Sequence, residues 1–255
     1  MQDNLLKESR VNTFLDNPSK ALWSLAIPIM LGMGIHTLYN LVDMIFIGKL
    51  GGDAIAGVAF NMPIFFLMLG LTMGLGSGVT ASIARFIGKK NKVSADNSAE
   101  HAIVIAGFIA TTFTLAGIYF GEQLLVLLGA EGNILILAWD YLSIIVIGLP
   151  FMVFSGFFRS ILAGEGDMKF PMIVAGLGTV LNTILDPIFI FKLEDYGNFG
   201  FGMGVKGAAL ATVCSQFIVF SIFIYMLFIR EHSYIKFNLK DFSPSKNLVL
   251  EIIHE

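Results

Sequence analysis

Apolar residues in this chain run in blocks of twenty or more instead of recurring at amphipathic spacing. A helix with apolar residues all round has to be buried, and ~20 such residues are what a helix needs to cross the ~30 Å hydrocarbon core of a bilayer. The 255 residues are 56% hydrophobic and only 14% charged, which excludes an ordinary water-soluble domain. The expectation is an all-α integral membrane protein with six spans, at 21–47, 54–84, 102–120, 134–158, 170–191 and 207–229. The third run is the shortest and is rich in threonine. The first is too long for a signal peptide and lacks a small-residue cleavage site, so it is read as a retained helix.

Basic residues test that count independently. With the N-terminus on the cytoplasmic side, the outer connections hold only Lys49, Lys192 and Lys206 of the 16 lysines and arginines, and the others fall inside, Arg159 among them. Cytoplasmic enrichment of Lys and Arg supports both termini inside, which requires an even number of spans. The net charge of −3 says little about partners, because charge here is partitioned by side. The single cysteine, Cys214, has no intramolecular partner and is read as a packing thiol. Three parts follow: a cytoplasmic segment 1–20, a six-helix bundle 21–230 and a cytoplasmic linker 231–255.

Two carboxylates interrupt the apolar runs. Asp43 lies in Leu38-Tyr-Asn-Leu-Val-Asp43-Met-Ile-Phe-Ile-Gly48 and Asp186 in Leu181-Asn-Thr-Ile-Leu-Asp186-Pro-Ile-Phe-Ile-Phe191. A carboxylate at the centre of a membrane helix costs about 2.5–3.5 kcal/mol on insertion scales and commonly marks an ion or substrate pathway. Spans one and five run in the same direction, and the helical rise puts both carboxylates roughly 6–8 Å below the outer boundary. Tyr141, in from the outer start of span four, reaches ~10 Å. Asn182 is one turn before Asp186, while His36, Tyr39 and Asn40 share a face with Asp43. The same polar side chains can also serve only to bond helices together.

Pro187 directly follows Asp186 and removes a backbone bond beside it, giving a cation an extra carbonyl oxygen. Pro28, near Gly32 and Gly34, suits a bend in span one, so Pro28 and Pro187 are the candidate hinges. Gly70, Gly74 and Gly78 recur every four residues along span two, a spacing that lets helices approach closely. Gly74-Leu-Gly-Ser-Gly78 is no phosphate loop, because it lies within a span and no strand precedes it. The chain has no HExxH, no GxSxG, no metal-spaced cysteine pairs and no ATP-binding loop, so it is read as a non-enzyme without an organic cofactor.

Several stretches together resemble the N-terminal half of a multidrug and toxic compound extrusion (MATE) transporter. They are the Asn17-Pro18 and Ile27-Pro28 lead, Tyr39-Asn-Leu-Val-Asp43 with Ile47-Gly48-Lys-Leu-Gly51, Gly76-Ser-Gly-Val-Thr80 with Ala84-Arg85-Phe-Ile-Gly88, and Arg159-Ser-Ile-Leu-Ala-Gly164-Glu-Gly-Asp167-Met-Lys169-Phe-Pro171. Leu181-Asn182 through Asp186-Pro187 and Gly204-Val-Lys-Gly-Ala-Ala209 extend the likeness over nearly the whole chain.

The resemblance implies one six-helix lobe of a twelve-helix, two-lobe carrier in the cell membrane. It implies export of drugs and organic cations in exchange for protons or sodium, with coupling by Asp43, Asp186, Asn182 and Tyr141 and sodium, if used, held at Asp43, Asp186 and Asn182. His36, Tyr39 and Asn40 would line the substrate pathway. Members have about twice this number of helices, and the chain ends where a second bundle would begin. Alternating access in repeat-built carriers needs two halves. The expected partners are therefore the lipid bilayer, small-molecule cations or drugs, and a second lobe supplied by another copy or a separate polypeptide, with no nucleic acid. The alternatives are a truncated or regulatory membrane subunit without transport, and export of lipid-linked saccharides, which is disfavoured because the basic residues are read at the cytoplasmic edge.

Overall fold

The computed structural model describes residues 18–192, 200–237, 248 and 252, and part of the first helix through its backbone alone. The described residues are helical apart from short connections and one isolated antiparallel bridge, Lys192 to Phe201. In chain order the helices are α1 (Pro18–Gly48), α2 (Gly52–Ala59), α3 (Met62–Gly88), α4 (Lys92–Leu127), α5 (Gly132–Gly164), α6 (Lys169–Ile190) and α7 (Val205–Ile224). A π-helical turn, Tyr225–Ile229, continues α7. Five continuous runs, with α2 and α3 taken together, are long and apolar enough to cross a membrane. With the 31-residue α1 they make the six-span lobe that the sequence implies.

Three spans differ from the sequence reading for local reasons. The second is broken at Phe60 and Asn61, just before Pro63, whose ring nitrogen carries no hydrogen to continue the ladder. Asn61 is fully buried at the break, and its amide donates to Gly57 O at 3.0 Å and Ala138 O at 3.2 Å, which pins the bend to α5. The third span is longer than its apolar run. α4 has 36 residues, or ~54 Å at 1.5 Å each, so it extends well beyond a bilayer core. Its polar start is capped by Asn91 Oδ1, which accepts from Ser94 N at 3.1 Å, and Lys92 pairs with Asp96 at 2.7 Å. The fourth span runs on to Gly164, which puts Arg159 inside the helix and not in a connection.

α5 is the central post. It packs against α2, α3, α4 and α7, while α7 packs on α6 and α6 on α1. Where helices cross closely, glycine provides the space. A Cβ on Gly117 of α4 would stand 2.5 Å from Val146 Cγ2, and one on Gly148 would stand 2.5 Å from Val213 Cγ2 of α7. Pro150, inside α5, leaves Val146 O without its intrahelical donor. The Thr114 hydroxyl of α4 donates to that carbonyl at 3.4 Å.

The expected glycine stripe behaves differently from its reading. Gly70 and Gly74 have nothing within 4 Å of a would-be Cβ, and only Gly78 is closely approached, by the Ile252 backbone. Within the described residues, the close crossings of α3 lie on another side of the helix, at Gly76 against Ser160 and at Thr72 against Gly156.

Past the π turn, residues 231–237 lie back against the bundle. Glu165 accepts from Tyr234 N at 3.0 Å, Ile235 N at 3.1 Å and the Ser233 hydroxyl. His232 Nε2 lies 3.0 Å from Asp167 Oδ2, and Lys236 N donates to Asp96 Oδ1 at 3.0 Å. This strap ties the ends of α4, α5 and α7 together.

These contacts separate tolerated from disruptive glycine changes. Gly148→Ala is expected to cost ~1–3 kcal/mol by overpacking against the stiff Val213, and Gly74→Ala close to nothing within this lobe. The check is the midpoint of thermal unfolding of each variant in the same detergent.

Candidate functional site

The last two turns of α1 bring Asp43 against α6. The carboxyl is 9% exposed, although it belongs to a helix with many exposed apolar residues, including Leu41 and Ile45 on either side of it. On α6, Asn182 and Asp186 are one turn apart and therefore share a face, 2% and 0% exposed. The two carboxyl groups, from different helices, lie close enough to act directly on each other.

Asn182 ties this pair to a third helix. With its amide nitrogen toward Asp186 it donates to Oδ2 at 2.9 Å, and its oxygen then accepts from Thr212 N of α7 at 3.1 Å. The Thr212 hydroxyl is 3.3 Å from the same amide. Only that orientation satisfies both neighbours. One oxygen of each carboxyl, Asp43 Oδ1 and Asp186 Oδ1, is buried without a hydrogen-bond partner among the described residues.

Two carboxyl groups in contact cannot both hold a full negative charge away from water unless something positive lies between or beside them. A shared proton satisfies the contact with one O–H, and a bare cation satisfies it through the unpaired oxygens. The arrangement can therefore take up or release a single positive charge, and the Asn182 amide links Asp186 to α7.

Pro187 sits inside α6 immediately after Asp186. Its missing N–H leaves the Thr183 carbonyl without an intrahelical donor, on the turn that joins Asn182 to Asp186. The helix resumes with Phe191 N donating to Pro187 O at 3.4 Å. The structure thus brings Asp43, Asp186, Asn182 and Pro187 into one region. Tyr141 is buried on α5, and its ring meets Phe65 of α3 edge-on with centroids 6.2 Å apart. α1 is helical through Pro28, His36, Tyr39 and Asn40, whose side chains lie outside the described residues.

Thr212 is the member that the sequence reading passed over. A signal was available: it is a polar residue in an apolar run, seven residues into α7 and so ~10 Å from the helix start, the depth assigned to Tyr141. Threonine is common in membrane helices, where its hydroxyl usually bonds its own backbone, as Thr183 does to Thr179 O at 2.9 Å. Residue type alone therefore did not single it out.

Comparison with known proteins gives the family. The MatE family pattern matches residues 28–188. The probable multidrug resistance protein NorM of Thermotoga maritima is 32% identical over 213 residues, covering 83% of this chain and 45% of its own length. An FAD transporter of Shewanella oneidensis is 28% identical over 211 residues, 83% of this chain and 46% of its own length. A crystal structure of a MATE protein in its bent conformation superposes with a TM-score of 0.86 at 38% identity, over 96% of this chain and 53% of that one. The chain spans about half the length of the relatives it matches. Six spans, the paired helices α1 and α6, and a family match across most of the bundle agree: this chain belongs to the MatE family of multidrug efflux transporters.

Proposed function

We propose that this chain is the N-terminal lobe of a cation-coupled exporter of drugs and organic cations, seated in the plasma membrane with both termini cytoplasmic. The observation that carries the reading is the contact between the Asp43 and Asp186 carboxyls across α1 and α6. A proton or a sodium ion neutralises that pair. Asn182 and Thr212 hold Asp186 in place, and Tyr141 contributes from α5. For sodium, the oxygens would come from Asp43, Asp186 and Asn182. The freed Thr183 carbonyl beside Pro187 is a further oxygen on the same turn.

The coupling logic is electrostatic. With the ion bound, α1 and α6 are held together by a neutral pair. With the ion released, like charges in a poorly solvated setting push the two helices apart. A cationic drug that neutralises the same carboxyls competes with the ion, and competition for one site gives exchange. α1 and α6 are joined through this contact and α6 to α7 through the amide, so charge at the pair bears on three helices. His36, Tyr39 and Asn40 on α1 would line the path of the drug, and Pro28 and Pro187 would absorb the bending.

A carrier of this class works with two lobes moving against each other. The second six-helix lobe, from another copy of this chain or a separate polypeptide, is therefore part of the proposal. Native mass of the chain extracted from its own membrane in mild detergent is expected to exceed 27.8 kDa of protein by one further lobe. A mass of one chain alone would count against a two-lobe carrier built on this polypeptide and for a subunit without transport.

In a complete transporter carrying this lobe, Asp43→Asn and Asp186→Asn are each expected to lower gradient-driven drug efflux by ~tenfold or more, equivalent to ~1.4 kcal/mol of coupling. Undiminished and still gradient-dependent efflux in both variants would sink the reading. Thr212→Val removes one hydroxyl beside Asn182 while preserving shape, and a smaller loss is expected, about 0.5–1.5 kcal/mol of stabilisation of the amide. Its readout is the ion concentration that half-saturates exchange, which should rise while surface expression stays level.

A further inference from the structure

Five consecutive residues of α4, namely Ser98, Ala99, Glu100, His101 and Ala102, are buried. At ~100° per residue they go once round the helix, so α4 is enclosed on every side at that level. The other helices supply part of the enclosure, because α4 packs on α3 and α5. His101 shares its face with Val104, Phe108, Leu115 and Tyr119, which follow it at near-whole numbers of turns. Phe108 and Tyr119 are 73% and 67% exposed, whereas His101 is 2% exposed. One face of α4 is therefore open along most of the span and covered at its polar start.

The connection after α7 supplies cover. Glu231, at φ 48°, turns the chain back through the left-handed region, which a non-glycine residue keeps only where its surroundings hold it. Beyond it, Lys236 N donates to Asp96 Oδ1 at 3.0 Å, and Lys92 Nζ lies over the Tyr234 ring, 4.8 Å from its centroid. Asp96 and Lys92 belong to the first turns of α4. Farther along, Leu248 and Ile252 are helical and one turn apart, and Ile252 is 1% exposed.

Ile252 rests on glycine. A Cβ on Gly78 of α3 would overlap the Ile252 carbonyl oxygen and stand 2.9 Å from its carbon and 3.2 Å from its Cα. All three are backbone atoms, which cannot swing aside as a side-chain tip can. One turn along α3, the fully buried Ser82 hydroxyl is 3.1 Å from that of Ser98, so the contact lies beside the crossing of α3 and α4. One turn the other way, Gly74 has nothing within 4 Å of a would-be Cβ. The close approach belongs to one glycine and is not a property of the stripe.

We propose that the connection after α7 is a two-point mount on this lobe. Residues 231–237 grip the ends of α4 and α5, and the turn carrying Leu248 and Ile252 docks on α3 at Gly78. The occupant of this α3 surface is a segment of the same chain. A second lobe that engages this end of the chain therefore bears on α3 and α4 through a fixed mount, where a slack tether would transmit nothing. That consequence rests on the two-lobe reading, and the docking itself does not. A native mass of one chain would sink the two-lobe reading and leave the mount standing, while an undocked Ile252 would do the reverse.

The test is hydrogen–deuterium exchange of the full chain in mild detergent, read by peptide mass spectrometry. Amides of the peptide spanning 248–255 are expected to exchange on the order of 100-fold more slowly than in the same peptide free in solution. Gly78→Val should speed their exchange about tenfold or more and leave peptides of α5 and α7 unchanged, while Gly74→Val leaves the protection in place. Should Gly78→Val fail to fold, cross-linking decides. In a Cys214→Ser background, Gly74→Cys paired with Ile252→Cys is expected to be bridged by a short bismaleimide in native membranes. Ile173→Cys of α6 paired with Ile252→Cys is expected to stay unbridged. The contact at Gly78 is made by the Ile252 backbone, so cysteine there preserves it. An unprotected 248–255 peptide, protection that survives in a folded Gly78→Val, or equal bridging of the two pairs would each overturn the proposal.

Discussion

Backbone groups inside a bilayer have no water to bond, and everything in this lobe follows from that. Each span must satisfy its own N–H and C=O groups, so the only construction open to a chain of long apolar blocks is a set of helices. The places where the ladder is interrupted then need explicit repair, and the structure shows several. Asn61 bonds across the break between α2 and α3. The Thr114 hydroxyl reaches the carbonyl freed by Pro150. The start of α4 is capped by Asn91. The carbonyl freed by Pro187 lies instead on the turn between Asn182 and Asp186.

The same scarcity of water gives the polar side chains their weight. In solution, Asp43 and Asp186 would be two unremarkable carboxylates. Buried and touching, they form a unit that must hold a positive charge or separate. Asn182 fixes the geometry, because its amide has one face for the carboxyl and one for the α7 backbone. A local change of charge is thereby tied to the relative position of three helices.

Packing needs a different resource. Without a hydrophobic effect to draw helices together inside lipid, close approach relies on small residues and good fit. Gly117 and Gly148 permit the crossings of α5 with α4 and α7, and large side chains such as Phe151, Phe158 and Phe220 fill the spaces between. α5 is central because it offers such a crossing on several sides. The strap at 231–237, held by Glu165, Asp167 and Asp96, then closes one end of the bundle through polar contacts that the spans themselves cannot provide.

The sequence by itself determined the class, the number of spans and the matched depth of Asp43 and Asp186, because hydrophobic length and a 1.5 Å rise are local quantities. It also put Asn182 on the face of Asp186, since a one-turn spacing is a property of any helix. Only the tertiary structure decided that α1 lies beside α6, so that matched depth becomes contact, and that Thr212 is the residue beyond the amide. It alone showed that Gly76, and not Gly70 or Gly74, is where α3 meets α5, and that Arg159 stands within a helix and not in a connection. Those outcomes depend on which helix packs next to which and at what rotation. Both are set by side chains far apart in the chain, and no periodicity within one segment encodes them.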